Sequence, residues 1–206
     1  YGLEPFVIAP MRNGIESKRA LAHGQRRSRD TKLLMYAARP ERGLRLLLER
    51  VFPRLLERDP ELGLALAGYD NTGPEMKPFY DFLNSLCAGY GPRVKQLGAL
   101  TKDKLYETYS TARAYLYPTE NFEEVACVSA MEVAACGLPF VGSAWGALPE
   151  TTSYCEGASR LVPHSGEPTD KYVTDFVEAA WDVISNDLVN ERMRKAGRAG
   201  AKAYDW

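Results

Sequence analysis

The sequence predicts a doubly wound α/β domain built on a Rossmann-like parallel sheet of about six strands, and three observations predict it. Apolar runs of strand length recur along the chain, helical patterns fill the gaps between them, and the repeated strand–helix–strand order requires right-handed crossovers that cover the sheet on both sides. Strands are expected at residues 33–38, 62–67, 94–97, 114–117, 139–141 and 159–162. The clearest helix places Leu44, Leu47, Leu48, Val51, Phe52, Leu55 and Leu56 at three- and four-residue steps, with Pro53 as a kink. A second carries Val173, Phe176, Val177, Ala180, Trp181 and Ile184 on one face.

With 206 residues, 45% apolar and 26% charged, the chain has the composition of an ordinary globular domain with one sizeable core. Residues 1–30 lack a sustained period and end in the polar stretch His23-Gly-Gln-Arg-Arg-Ser-Arg-Asp30, which reads as an interdomain hinge or linker. The folded unit is therefore expected to span residues 31–206. The longest apolar runs, 44–48 and 134–141, fall far short of the ~20 residues of a membrane span, and residues 1–10 lack the charged-then-apolar order of a signal peptide. No transmembrane segment is expected. Cys87, Cys127, Cys136 and Cys155 form no C-x-x-C pair and sit mostly in apolar stretches, so they read as reduced core thiols of a cytoplasmic protein. Net charge is −1, yet 13 of the 26 Lys and Arg lie between Arg12 and Arg58 against five acids. Because these bases are spread through helical positions with few aromatics between them, they favour a phosphate-bearing small molecule over nucleic acid. A solvated helix face accounts for most of them.

Ligands of such sheets bind at the carboxyl ends of the strands. Several familiar devices are missing there. Gly89 and Gly91 give only the first half of a G-x-G-x-x-G, and Gly68 and Gly73 have P-loop spacing with Pro74 where the lysine belongs. There is no D-x-D, H-E-x-x-H or G-x-S-x-G, so neither a metal site nor a bound cofactor is expected, and His23 and His164 read as surface imidazoles. What remains is Tyr117-Pro-Thr-Glu-Asn-Phe-Glu-Glu-Val-Ala-Cys-Val-Ser-Ala-Met-Glu-Val-Ala-Ala-Cys-Gly137, read as a strand end and a helix that Glu124 opens and Gly137 stops. On that helix Glu132 lies about 12 Å along the axis from Glu124 and about 80° around it. A diphosphate suits the free N–H groups at such a helix start, with the carboxylates accepting bonds from hydroxyls on either side. Spacing alone leaves open that Glu124 merely complements the helix dipole and that Glu132 is a solvated face residue.

Collinear blocks along the chain resemble the retaining glycosyltransferases of family 4, enzymes of the two-Rossmann-domain GT-B type. Arg12-Asn-Gly-Ile-Glu16 is similar to that family's interdomain hinge, Ala38-Arg-Pro-Glu-Arg-Gly-Leu44 to its Pro-Glu-Lys-Gly segment, and Gln96-Leu-Gly-Ala-Leu100 with Leu105-Tyr-Glu-Thr-Tyr109 to the next block. Tyr117-Pro-Thr119 resembles its Pro-Ser strand end, and Glu124 and Glu132 fall on its E-x7-E. Ala135-Cys-Gly-Leu-Pro139, Gly146-Ala-Leu-Pro-Glu150 and a closing Tyr204-Asp-Trp206 follow in the expected order.

The resemblance implies a nucleotide-sugar-binding domain, residues 31–206, forming one half of a GT-B fold whose N-terminal acceptor domain lies outside this chain. It implies sugar transfer with retention from a nucleoside-diphosphate sugar to an unknown acceptor, without a metal, by a cytoplasmic or membrane-peripheral enzyme whose isolated donor domain is inactive. A GT-B nucleotide-sugar epimerase and a non-catalytic sugar-nucleotide-binding module are the alternatives. Glu124 takes the donor-sugar hydroxyls, Glu132 the ribose and Arg42 the diphosphate, with the backbone of Leu100 beside the base. Three departures stand out. Ala37 occupies the position of a family arginine, which Arg39 replaces from the same strand face. Arg42 replaces a lysine, and Val125-Ala126-Cys127 replace Gly-Phe-Gly beside the diphosphate.

Overall fold

The computed structural model of the chain describes residues 13–25, 29–68 and 73–206; the readings made on residues 1–12, and on Arg26, Arg27 and Ser28 within the polar stretch, lie outside the described residues. Six strands, β1 (Leu33–Tyr36), β2 (Gly63–Ala67), β3 (Val94–Gly98), β4 (Ala114–Tyr117), β5 (Phe140–Ala144) and β6 (Ser159–Pro163), form one sheet in the order β3-β2-β1-β4-β5-β6. Every pairing is parallel. All six expected strands are present, and the doubly wound α/β fold is the one observed.

Parallel strands need helical crossovers, and these cover the sheet on both faces. On one side lie α2 (Leu44–Leu46), a π-helical turn (Leu47–Val51) and α3 (Phe52–Arg58), running as one rod, with α4 (Lys77–Gly89) and α8 (Asp170–Ser185). The π turn sits just ahead of Pro53, the residue expected to kink the rod. A proline ring cannot donate to the carbonyl four residues back, so the chain widens by one residue instead of breaking. Leu44, Leu47, Leu48, Val51, Phe52 and Leu55 all stay buried. Each such side chain contributes about 1.5–3 kcal/mol by leaving water. On the other side α1 (Ser17–Gly24), α5 (Lys102–Thr111), α6 (Val128–Ala135), α7 (Leu148–Ser153) and α9 (Asp187–Gly200) pack together. No helix among the described residues is long and apolar enough to cross a membrane, and the four cysteines are free and buried.

Helix α1 lies inside the stretch expected as a linker, yet it packs against α5 and α6, with Ala20 fully buried. Its own sequence carries almost no apolar period; a tertiary cap supplies the missing stability. Asp205 Oδ1 accepts from the Ser17 amide at 3.1 Å and the Ser17 hydroxyl at 2.7 Å, satisfying an orphan donor at the helix start. These Ser17 contacts hold the Asp205 carboxyl below the usual carboxylate range. The Ile15 amide bonds the Tyr204 carbonyl at 2.7 Å, and Trp206 packs over Gly14. Thus the described part of the hinge-like Asn13-Gly-Ile-Glu16 meets the closing Tyr204-Asp-Trp206.

Strand order reverses between β1 and β4, and the loops leaving them are pressed together at Gly43. This residue has φ +132°, and a Cβ there would stand 1.8 Å from the Pro118 carbonyl oxygen. Gly43→Ala should therefore destabilise the fold by about 1–3 kcal/mol from backbone strain alone, read as a lowered urea midpoint at unchanged m-value. Gly89→Ala is the control: nothing lies within 4 Å of its Cβ position, and it should be neutral or stabilising.

Candidate functional site

A cleft of about 400 Å³ opens at the carboxyl ends of β1, β2, β3 and β4, around the point where strand order reverses. The loop after β1 contributes Ala37, Arg39 and Arg42, and the loop after β3 contributes Leu100 and Lys102. Ala126, Cys127, Ser129 and Glu132 come from the β4–α6 connection and α6 itself. Six of the eight residues singled out from the sequence therefore share one cleft. Glu124 and Val125 do not line it: Val125 is 86% exposed, while Glu124 is buried beside it.

The structure corrects the reading of Glu124. Helix α6 begins at Val128, so Glu124 opens no helix and the carboxylates are not eight helical positions apart. Tertiary contacts hold the Glu124 segment extended. The Ala147 amide donates to the Glu124 carbonyl at 2.7 Å, and Gly146, at φ +60°, lets the two chains meet: a Cβ there would stand 2.4 Å from that same carbonyl oxygen. The Glu124 side chain turns inward. Its Oε1 accepts from the Tyr117 hydroxyl and from Arg42 Nη1 at 3.0 Å. Burial, then the neighbouring Cys127, Tyr36 and Glu124, push the Tyr117 hydroxyl far above its ordinary pKa, so it stays a donor. Burial opposes charge on Arg42, but Tyr117 and Glu124 outweigh it and hold the guanidinium above its usual value. Phe122 stacks against that guanidinium at 4.2 Å.

Glu132 is likewise no solvated face residue. It is 4% exposed, and its Oε1 accepts from Lys102 Nζ and from the Tyr106 hydroxyl at 2.9 Å. Burial first, then Glu132, raise the Tyr106 pKa. Tyr109, also on the cleft wall, is fully buried with no hydrogen-bond partner for its hydroxyl among the described residues. Lys102, Tyr106, Tyr109 and Tyr117 escaped the sequence reading. Lys102 could have been found: Thr101 caps α5 through a bond from the Lys104 amide, which puts Lys102 on the first turn of the helix leaving β3.

Arg39 does not replace a residue at Ala37 from the same strand face, because β1 ends at Tyr36. It reaches the same cleft from the following turn. Ala37 is itself gripped by the Tyr115 hydroxyl, which donates to its carbonyl at 2.8 Å and accepts from its amide at 3.2 Å. Most other cations of the basic half are spent elsewhere: Arg45 pairs with Glu120, Arg50 with Asp170, Arg58 with Glu178 and Lys32 with Asp59. Cys127 is inert as a thiolate, since burial and then Glu124 push its thiol to about 12.

The cleft at the switch point of this doubly wound sheet sets cations and carboxylates side by side, groups whose chemistry suits anions and hydroxyls. The chain belongs to the family described as Glycosyl transferases group 1, whose profile matches residues 31–186. It is 25% identical over 167 residues to the phosphatidyl-myo-inositol mannosyltransferase of Mycobacterium tuberculosis, covering 81% of this chain and 41% of the relative. The chain thus spans about two fifths of the length of the curated relatives it matches. Its fold is similar to sucrose-phosphate synthase from Thermosynechococcus elongatus (TM-score 0.71, 23% identity, 94% of this chain and 48% of that one). It is also similar to Anabaena HepE solved with UDP and glucose (TM-score 0.67, 17% identity, 84% and 44%). The architecture is that of GT-B glycosyltransferases.

Neither histidine is the fully exposed imidazole expected. The His23 side chain is 17% exposed, with Nε2 at 3.4 Å from Asp103. His164 wedges between Tyr172, at 4.3 Å between ring centres, and the edge of Trp145, at 5.1 Å. Burial lowers its pKa below the ordinary 6.5. The unfolded chain therefore binds a proton that the fold resists, and stability should fall as pH drops through and below 6.5. In urea titrations across that range, His164→Phe should flatten the pH dependence; an unchanged slope would assign it to other groups.

Proposed function

We propose that this chain is the donor-binding domain of a retaining glycosyltransferase that moves a sugar from a nucleoside-diphosphate sugar to an acceptor held by a further domain. The observation that carries this reading is the arrangement of charge in the cleft. Arg39 and Arg42 face the start of α6 across the switch point, and the Lys102–Glu132 pair stands farther along the same wall. A diphosphate between the arginines and α6 is neutralised by guanidinium donors and by the positive end of the helix dipole. The ribose then falls to Glu132 and the base to the backbone of Leu100.

In the transfer itself, the bond from the anomeric carbon to the diphosphate oxygen breaks and negative charge grows on the departing phosphate. Arg42 is held to meet that charge by Glu124 and Phe122, so little reorganisation is needed at the moment of reaction. The acceptor hydroxyl attacks from the leaving-group face and its proton passes to the departing diphosphate, which retains the anomeric configuration. Glu124 aims Arg42, and for its second oxygen to reach a donor hydroxyl the buried carboxylate must be uncovered when the donor binds. Catalysis needs the acceptor held against the donor, a task for a two-domain cleft rather than this chain alone. The UDP and glucose bound to HepE make UDP-sugars the first donors to test.

Because guanidinium groups and the α6 terminus do the neutralising, EDTA should leave nucleotide affinity nearly unchanged. Loss of binding in chelator, restored by magnesium or manganese, would mean that a divalent ion holds the diphosphate.

The two carboxylates should fail differently in calorimetric titrations. Glu132→Ala should weaken UDP and the UDP-sugar alike, by about 1–3 kcal/mol for a hydrogen bond to a charged group. Glu124→Gln, which keeps the side-chain volume beside Tyr117, should cost the UDP-sugar more than UDP. Equal losses on both ligands for both variants would sink the division of labour.

A further inference from the structure

Helix α9 carries one face that the fold does not use. Its inward side is locked in place: Asn190, Met193, Arg194 and Gly197 are buried. Arg194 donates to the carbonyls of Ala112 at 3.0 Å and Ser110 at 3.1 Å. Gly197 lies so close to α6 that a Cβ there would stand 2.5 Å from the Ala134 carbonyl oxygen. The helix therefore cannot turn about its axis, and what faces outward is fixed. Leu188, Arg192, Lys195 and Ala199 follow one another on that side at steps of four, three and four residues, within about 60° around the axis. All four are exposed, and exposure at the same spacing continues past the helix end to Lys202 and Trp206.

This face is basic although the chain as a whole carries −1. The acids between residues 187 and 206 are each committed elsewhere. Asp187 pairs with Arg113 at 2.8 Å, Glu191 with Arg29 at 3.0 Å and Arg198 at 3.7 Å, and Asp205 accepts from Ser17. Arg192, Lys195 and Lys202 are left without a carboxylate partner among the described residues. Large apolar side chains stand at both ends of the basic line: Leu188 is 80% exposed and Trp206 76%.

We propose that this face of α9 docks on a membrane surface rich in anionic lipid, with Arg192, Lys195 and Lys202 at the headgroup phosphates and Leu188 and Trp206 entering the interface. An anionic leaflet attracts cations held at its surface, and exposed Leu and Trp gain by leaving water at the headgroup boundary. A nucleic-acid backbone would satisfy the cations but offers Leu188 nothing, so the apolar ends favour the lipid. The docking face is separate from the donor cleft and does not depend on the function proposed for it.

The test is co-sedimentation of this chain with phosphatidylcholine vesicles, with and without phosphatidylserine, at low salt. Binding should require phosphatidylserine and should weaken as salt shortens the reach of the headgroup charge. Arg192→Gln with Lys195→Gln should weaken it about fivefold for each cation removed. Lys77→Gln with Lys171→Gln removes two exposed cations from α4 and α8 and should leave binding unchanged, which separates a docking face from net charge. Leu188→Ser should weaken vesicle binding and leave binding to a short DNA duplex, if there is any, as it was. All the substituted side chains are exposed, so the variants should melt as cooperatively as the unaltered chain. The proposal is overturned by no binding to phosphatidylserine vesicles, by equal binding to phosphatidylcholine alone, or by equal losses in the two paired Gln variants. A DNA duplex bound through Arg192 and Lys195, with vesicle binding indifferent to Leu188→Ser, would overturn it in favour of nucleic acid.

Discussion

The site depends on one buried ionic contact, the Glu124 carboxylate held between Arg42 and the Tyr117 hydroxyl. Taking a carboxylate out of water costs several kcal/mol unless it is paired and hydrogen-bonded, and removing a single partner leaves an uncompensated charge. The contact therefore fixes more than its own atoms. It ties the loop after β1, which carries Arg42, to the loop after β4, which carries Glu124, across the point where strand order reverses.

The backbone around this contact is correspondingly tight. Gly43 lets the start of α2 lie on the Pro118 carbonyl, and Gly146 lets the turn after β5 lie on the Glu124 carbonyl. A side chain at Gly43 would displace the chain at Pro118 and Thr119, and one at Gly146 the Glu124 segment. Tyrosines do the rest: Tyr36, Tyr115 and Tyr117 are buried on β1 and β4, with hydroxyls that reach the Arg39 carbonyl, the Ala37 backbone and Glu124. Apolar rings anchor in the core and polar tips grip the loops. The same scaffold that fills the sheet interior thus sets the geometry of the cleft.

Much of this was legible in the chain. The four inner strands announced themselves because parallel strands buried on both faces read as short apolar runs, and β4, buried at all four positions, was located to the residue; the edge strands β3 and β6 are largely exposed. The 44–56 periodicity survived a π turn because the widening returns the apolar positions to the same face. The readings that missed share a cause: their structure is decided by distant partners. Glu124 looked like a helix start because acids favour that position, but Ala147 and Arg42, far along the chain, hold it in an extended loop. Helix α1 has too little apolar pattern to be seen and takes its cap from Asp205. The hydroxyls of Tyr106 and Tyr117 have no local signature at all, since each matters through a carboxylate on another element.

Charge is the clearest case of a pattern whose meaning only packing can sort. The basic half reads as one feature, yet its members fall into classes of very different weight. The pairs of Arg45 and Lys32 hold cations in contact with water, so they add little to stability and are screened by salt. Arg42 is anchored to a buried carboxylate with its guanidinium still at the cleft, and Arg39 lines the same cleft without an ion-pair partner among the described residues. A cation that stability does not require, placed where strand order reverses, is the kind that a ligand explains. Charges that the fold leaves uncompensated mark the site even where the family pattern is broken, because packing and not the recurrence of particular residues decides which cations stay free.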